Sequence, residues 1–144
     1  IFNEGWGQFQ TEDMTRIVRR LDPNRLIDQA SGWFDQGGGD FSSLHNYFFK
    51  LFIRPERERA SVLSEFGGYS YREPGHCAKE KLYGYGICKN KKDLEKRFLE
   101  RWSGVRNLIP QGLSASIYTQ WTDVEEEVNG VFTYDREVRK IEPF

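Results

Sequence analysis

Only two cysteines, Cys77 and Cys88, occur in 144 residues, too few for a disulfide framework, although the segment between them can close as one loop. Cysteine usage therefore leaves the redox compartment open. No apolar run approaches the roughly 18 residues of a membrane span, and a mean hydropathy of −0.72 with 30% charged residues describes a water-facing chain. An excess of one charge is missing too. Twenty-one Lys and Arg against 22 Asp and Glu leave −1, so no sequence-wide field draws the chain to nucleic acid or to an acidic membrane. Repeats, a P-loop and the Gly-rich phosphate turn of dinucleotide folds are likewise absent. The start, Ile1-Phe2-Asn3-Glu4, has neither an initiator Met nor a signal-peptide pattern, and no helix closes the chain before Pro143-Phe144. We therefore expect residues 1–144 to be a single segment of a larger protein. What is abundant is aromatic: 4 Trp, 7 Tyr and 11 Phe, many beside glycine or polar residues rather than in periodic stripes.

Punctuation and periodicity divide the segment. Ile1 to Asn3 reads as the end of a strand. Thr11 is placed to cap a helix in which Met14, Ile17, Val18 and Leu21 fall at i, i+3, i+4 and i+7, ended by Asp22-Pro23. Strands are expected from Leu26-Ile27 to Ala30-Ser31, from Ser43 towards Tyr47, at Ser61 to Glu65, and from Ser114 to Gln120. Glu56 to Arg59 allows at most a short helix, and residues 69–90 read as one long Tyr- and Gly-rich loop. A second helix runs from Lys91 to about Arg106, with Leu94, Phe98, Leu99, Trp102 and Val105 on one face. Strands alternating with helices or loops, and no hairpin before Asn129-Gly130, predict parallel pairing in an α/β fold. Polar and aromatic residues collect at the strand ends: Asn3-Glu4, His45-Asn46-Tyr47, Glu65 and Gln120-Trp121. Chemistry gathered at C-terminal strand ends is the pattern of a (β/α)8 barrel.

The words Asn3-Glu4, Ser64-Glu65-Phe66-Gly67-Gly68 and Tyr118-Thr119-Gln120-Trp121-Thr122-Asp123-Val124-Glu125, each after an apolar strand, resemble the catalytic TIM barrel of family 2 glycoside hydrolases. That is the β-galactosidase, β-glucuronidase and β-mannosidase group. Val128 to Arg136 also resembles the segment after the last barrel strand in β-galactosidase-like members. The resemblance implies the C-terminal half of such a barrel, roughly strands four to eight with flanking helices, and a retaining β-glycosidase acting by double displacement. It assigns Glu4 as acid/base and Glu65 as nucleophile, with Asn3 at the sugar 2-hydroxyl and Tyr47 holding the Glu65 carboxylate. His45 is a further candidate for a sugar hydroxyl, and the flat faces of Trp121, Trp33 and Trp6 can stack on a sugar ring. The expected partner is a carbohydrate substrate.

Glycoside cleavage needs one carboxyl that gives a proton and one that stays ionised, so the surroundings of Glu4 and Glu65 must differ, with the two carboxyls about 5–5.5 Å apart in a retaining enzyme. A non-catalytic carbohydrate-binding or structural relative of the same barrel is the alternative. No cofactor or metal is expected: His76, Cys77 and Cys88 lack an orthodox zinc spacing. Glu125-Glu126-Glu127 reads as a solvated face. Because a five-stranded piece of a barrel has two strand edges, one beside Ile1 to Asn3 and one beside Ser114 to Gln120, the segment is expected to self-associate and to be inactive alone.

Overall fold

The computed structural model describes residues 1–142 and shows a mixed α/β chain of short parallel strands and two helices. Pro143 and Phe144, and with them the expectation for the end of the chain, lie outside the described residues. The strands are β1 (Phe2–Asn3), β2 (Ala30–Ser31), β3 (Phe41–Asn46), β4 (Ala60–Gly67), β5 (Tyr69–Ser70), β6 (Gly86–Ile87) and β7 (Leu113–Thr119), and the helices are α1 (Thr11–Leu21) and α2 (Lys91–Leu108). They form three small parallel sheets, β1-β2, β3-β4-β7 and β5-β6. Residues of β2 also lie beside β3 without a hydrogen-bonded ladder. The described strands do not close into a barrel.

Parallel neighbours require crossovers; α1 lies in the one between β1 and β2, and α2 in the one between β4 and β7. Near its end the central strand β4 carries one residue more than either neighbour, and against β7 an opposite shift between Ser61 and Val62 precedes it. Leu44 pairs with Leu63 but His45 pairs with Glu65, and on the other side Leu63 pairs with Ser116 but Phe66 with Tyr118. This bulge at Ser64 re-aims the strand end. It lets Leu63 and Phe66, both fully buried, join one apolar cluster with Leu44, Leu51, Val105, Leu108 and Leu113, while Glu65 comes opposite His45.

Helix α2 begins where Asn90 accepts the backbone N–H of Asp93, a side-chain cap. It buries Leu94, Phe98, Val105 and Leu108. Leu99, expected on that face, is 53% exposed. It stands only one residue from Phe98, and 100° of rotation turns it outward. Around Leu94 and Phe98 a second cluster gathers Cys88 and Ile141, with Tyr118 and Trp102 against it.

Other expectations change as well. At α1 the N-cap position is Gln10, in the left-handed region, and no side chain caps it; Thr11 instead opens the helix and accepts a bond from Thr15 through its carbonyl. Residues 69–90 are not one loop, because β5 and β6 pair within them and Cys88 is core. Glu56 to Arg59 forms no helix: Arg59 is drawn into ion pairs with Asp35 and Glu56. Both cysteines are free. Glu125 and Glu126 are exposed, but Glu127 is half-buried and accepts a bond from Gln120 at 3.4 Å. Among the described residues no helix is long and apolar enough to cross a membrane.

Candidate active site

Glu4 follows β1 directly, its backbone N–H given to Ser31 O at 2.7 Å. Its φ of 53° lies in the left-handed region that a glutamate avoids, so the chain turns sharply just beyond the strand. Gly32, with φ of 105°, follows β2 on the other side of this turn. A Cβ there would lie 3.0 Å from His45 Nδ1 and 3.1 Å from Glu4 Cα, so the close approach of β1, β2 and β3 depends on its being glycine.

These elements converge on two carboxylates and an imidazole. His45 Nδ1 lies 2.9 Å from Glu4 Oε1 and 3.3 Å from Glu65 Oε2. Donor atoms of Glu4, His45 and Glu65 lie within 4.8 Å of one another. The His45 side chain is 1% exposed, against 17% for Glu4 and 31% for Glu65, so the carboxylates face an opening and the ring forms its floor. Tyr47 Oη donates to Glu65 Oε2. A phenol has one proton, so the 3.1 Å contact between Tyr47 Oη and Thr119 Oγ1 is read with the Thr119 hydroxyl as donor. Burial first, then the bond to Glu65, pushes the Tyr47 phenol well above its ordinary range, and it stays a neutral donor.

The Tyr47 ring is stacked on Tyr85, with centroids 3.8 Å apart and planes 8° apart. A Cβ on Gly68 would lie 2.7 Å from the Tyr85 ring and 2.9 Å from that of Tyr47, so this stack requires the glycine. Burial also raises the Tyr85 hydroxyl, with smaller contributions from Tyr83, Glu4 and Glu127. From α2, Arg101 donates to Tyr47 O and to Phe49 O, both at 2.7 Å, and to the Tyr69 hydroxyl at 2.7 Å. The helix thus fixes the strand end that presents Tyr47.

The structure brings together Glu4, Glu65, His45 and Tyr47. Asn3 stands next to them, its Oδ1 accepting from Ser31 Oγ at 3.0 Å and its amide N–H groups left for another acceptor. Trp33 and Trp121, 40% and 70% exposed, follow the ends of β2 and β7 and stand outside the hydrogen-bonded cluster; Trp121 packs on Phe132 and lines the groove beyond β7. Trp6 is 71% exposed. Asn46 braces the turn after β3, where its Oδ1 accepts from Phe49 N at 3.1 Å and its amide donates to Lys50 O at 3.2 Å. Sequence reasoning missed Thr119, Tyr85 and Arg101. Thr119 and Tyr85 lie in stretches already marked by aromatic and polar crowding, whereas nothing in the periodicity of α2 distinguishes Arg101 from a surface arginine.

Two groups of His and carboxylate donors converge among the described residues, Glu4-His45-Glu65 and His76-Asp135-Glu137, and neither contains a cysteine. In the first, the tyrosine proton and the imidazole are directed at the carboxylate oxygens, which makes it a hydrogen-bonded cluster. In the second, on the surface, His76 Nδ1 lies 2.8 Å from Asp135 Oδ2. The Asp135 partner pushes His76 up, while bonds from Thr133 and His76 hold Asp135 down at about 2. Cys77 Sγ donates to Glu73 O at 3.3 Å, and burial raises the Cys88 thiol. Comparison with known proteins adds no assignment: no family model matches the chain, and no curated protein matches it.

Proposed function

We propose that this chain carries the catalytic pair of a retaining β-glycosidase, β-galactosidase-like in type, and supplies strands four to eight of a family 2 barrel. One observation supports the reading above the others: Glu4 and Glu65, on different strands and far apart in sequence, meet within 4.8 Å. Carboxylate oxygens this near are compatible with the about 5–5.5 Å separation of the two carboxyls in retaining glycosidases. The parallel succession β1, β2, β3, β4, β7, with functional residues at C-terminal ends, is also what a stretch of such a barrel would present.

In this reading Glu65 attacks the anomeric carbon and Glu4 protonates the departing oxygen; Glu4 then takes a proton from the water that releases the sugar. Tyr47 holds the Glu65 oxygen that does not attack, with His45 Nδ1 3.3 Å from the same oxygen. Asn3 offers its amide to the 2-hydroxyl, and the exposed Trp33 and Trp121 are candidate ring faces for a sugar. Five strands of eight make only part of a substrate pocket, so the chain alone is expected to turn over little.

The test is an aryl-glycoside panel on the full-length protein containing this chain, with Glu65→Gln and Glu4→Gln beside the unchanged protein. Both replacements are expected to lower kcat by at least about 10³-fold, and a 2-fluoroglycoside is expected to label Glu65. Unchanged turnover in Glu65→Gln would remove the nucleophile from the reading. The exposed rings of Trp6, Trp33 and Trp121 also suit a carbohydrate-binding relative, for which the same panel would show sugar binding without turnover.

A further inference from the structure

His45 Nδ1 hydrogen-bonds Glu4 Oε1 at 2.9 Å and lies 3.3 Å from Glu65 Oε2, an ion-pair distance without hydrogen-bond alignment. Its other nitrogen, Nε2, is buried and has no hydrogen-bond partner among the described residues. The two facts together decide the tautomer. A bare Nδ1 would set its lone pair against carboxylate oxygens on two sides, so Nδ1 carries a proton. A proton on Nε2 as well would leave a buried N–H without an acceptor, which is rarer and costlier than an unsatisfied lone pair. The ring is therefore a neutral donor with a single N–H, bonded to Glu4 and standing beside Glu65.

We infer that His45 is a positioning residue whose one Nδ1–H serves whichever of the two carboxylates carries the negative charge. This rests on the proposed glycosidase roles of Glu4 and Glu65. Before the first step Glu65 is ionised and Glu4 protonated. A lone pair on Glu65 Oε1 then forms the bond to the anomeric carbon. The glycosidic C–O bond breaks with its electron pair going to the leaving oxygen, which takes the proton from Glu4 Oε2. Glu65 is now a neutral ester and Glu4 an anion. Glu65 Oε2 and Glu4 Oε1 both lie beside Nδ1, so a tilt of the ring carries the N–H from one charge to the other. A donor held beside both carboxylates needs little reorganisation when charge moves.

The titratable groups facing the ring are few. They are Glu4 just after β1, Glu65 from β4, and the phenols of Tyr47 just after β3 and Tyr85 beyond β5, both held neutral by burial. Thr119, at the end of β7, adds only a hydroxyl.

Two measurements test this, and they fail independently of each other. The chain has two histidines, so 15N-histidine NMR with His76→Gln for assignment reads the His45 ring directly, without any activity. At the pH of maximal activity a protonated Nδ1 and an unprotonated Nε2 are expected; an Nε2–H tautomer or an imidazolium there would overturn the proposal whatever the enzyme does. In the full-length protein, His45→Phe is expected to lower kcat/KM roughly ten- to a hundred-fold. It should also move both limbs of the pH profile to higher pH, because each carboxylate loses a donor to its charged form. His45→Asn places an amide N–H near the Nδ1 position and is expected to restore the limbs and most of the rate; His45→Gln, which reaches for the Nε2 position, is not. Limbs that stay put in His45→Phe, with Asn no better than Gln and melting temperatures matched, would mean that the ring only fills space. Full activity in Glu65→Gln would instead overturn the glycosidase reading and leave the tautomer result standing.

Discussion

Tyr47 gives its only proton to Glu65 and receives one from Thr119, which ties three strand ends, β3, β4 and β7, at a single oxygen. Removing that oxygen in Tyr47→Phe leaves the ring and its stack on Tyr85 in place but takes a donor from a charged carboxylate. Such bonds contribute about 1.5–3 kcal/mol. Under the glycosidase reading the expected result is a ten- to 150-fold fall in kcat with little change in KM, checked by steady-state kinetics on an aryl glycoside. The two carboxylates and this tyrosine were legible as residues because their neighbours form recognisable words at strand ends. The role of His45 was not. A histidine two residues before a tyrosine reads equally as a sugar contact or a core ring, and only the Ser64 bulge, which brings Glu65 opposite it, separates the two.

Among the elements, the segment after β7 is held by an ion pair that no periodicity announces. Lys140 and Asp123 are both fully buried, with Nζ 2.6 Å from Oδ1; the ammonium also donates to Val128 O at 2.9 Å and Tyr71 O at 3.2 Å. Its three protons are thus all used. Burial pushes the carboxyl up and the ammonium down, and each partner opposes that push on the other. Breaking one side strands a charge in the interior. Lys140→Met is expected to destabilise by about 3–5 kcal/mol, read as a shift in the urea midpoint. Adding Asp123→Leu should recover much of that loss, because no buried charge then lacks its partner. The two helices, by contrast, were readable almost to the residue from spacing and from the Asp22-Pro23 stop. The β5-β6 pairing was not, since each strand has two residues and its partner lies across a loop.

At the scale of the whole molecule, the outer surfaces are unfinished. Helix α1 is amphipathic yet buries no residue, leaving Ile17 and Leu21 at 38% and 80% exposure. Beyond β7, whose second edge is unpaired among the described strands, Phe98, Trp102, Tyr118, Trp121, Val131 and Ile141 line a largely apolar groove of about 490 Å3. Exposed edges and apolar faces of this kind promote association. Sedimentation velocity on the chain is expected to show concentration-dependent dimers or larger species, reduced by Ile117→Lys on the exposed side of β7, where Ile117 is 59% exposed. A monomer up to high concentration would contradict this.

What the amino-acid order settled by itself was local: where helices begin and stop, that the strands run parallel, and which acidic residues stand at strand ends. Those follow from rotation per residue, from proline and glycine, and from the long connections that parallel strands require. Which side chains meet was decided by the tertiary structure. The bulge in β4, the close passage at Gly32 and the reach of Arg101 from α2 join residues tens of positions apart, and such contacts depend on the register and packing of elements, which no single segment encodes.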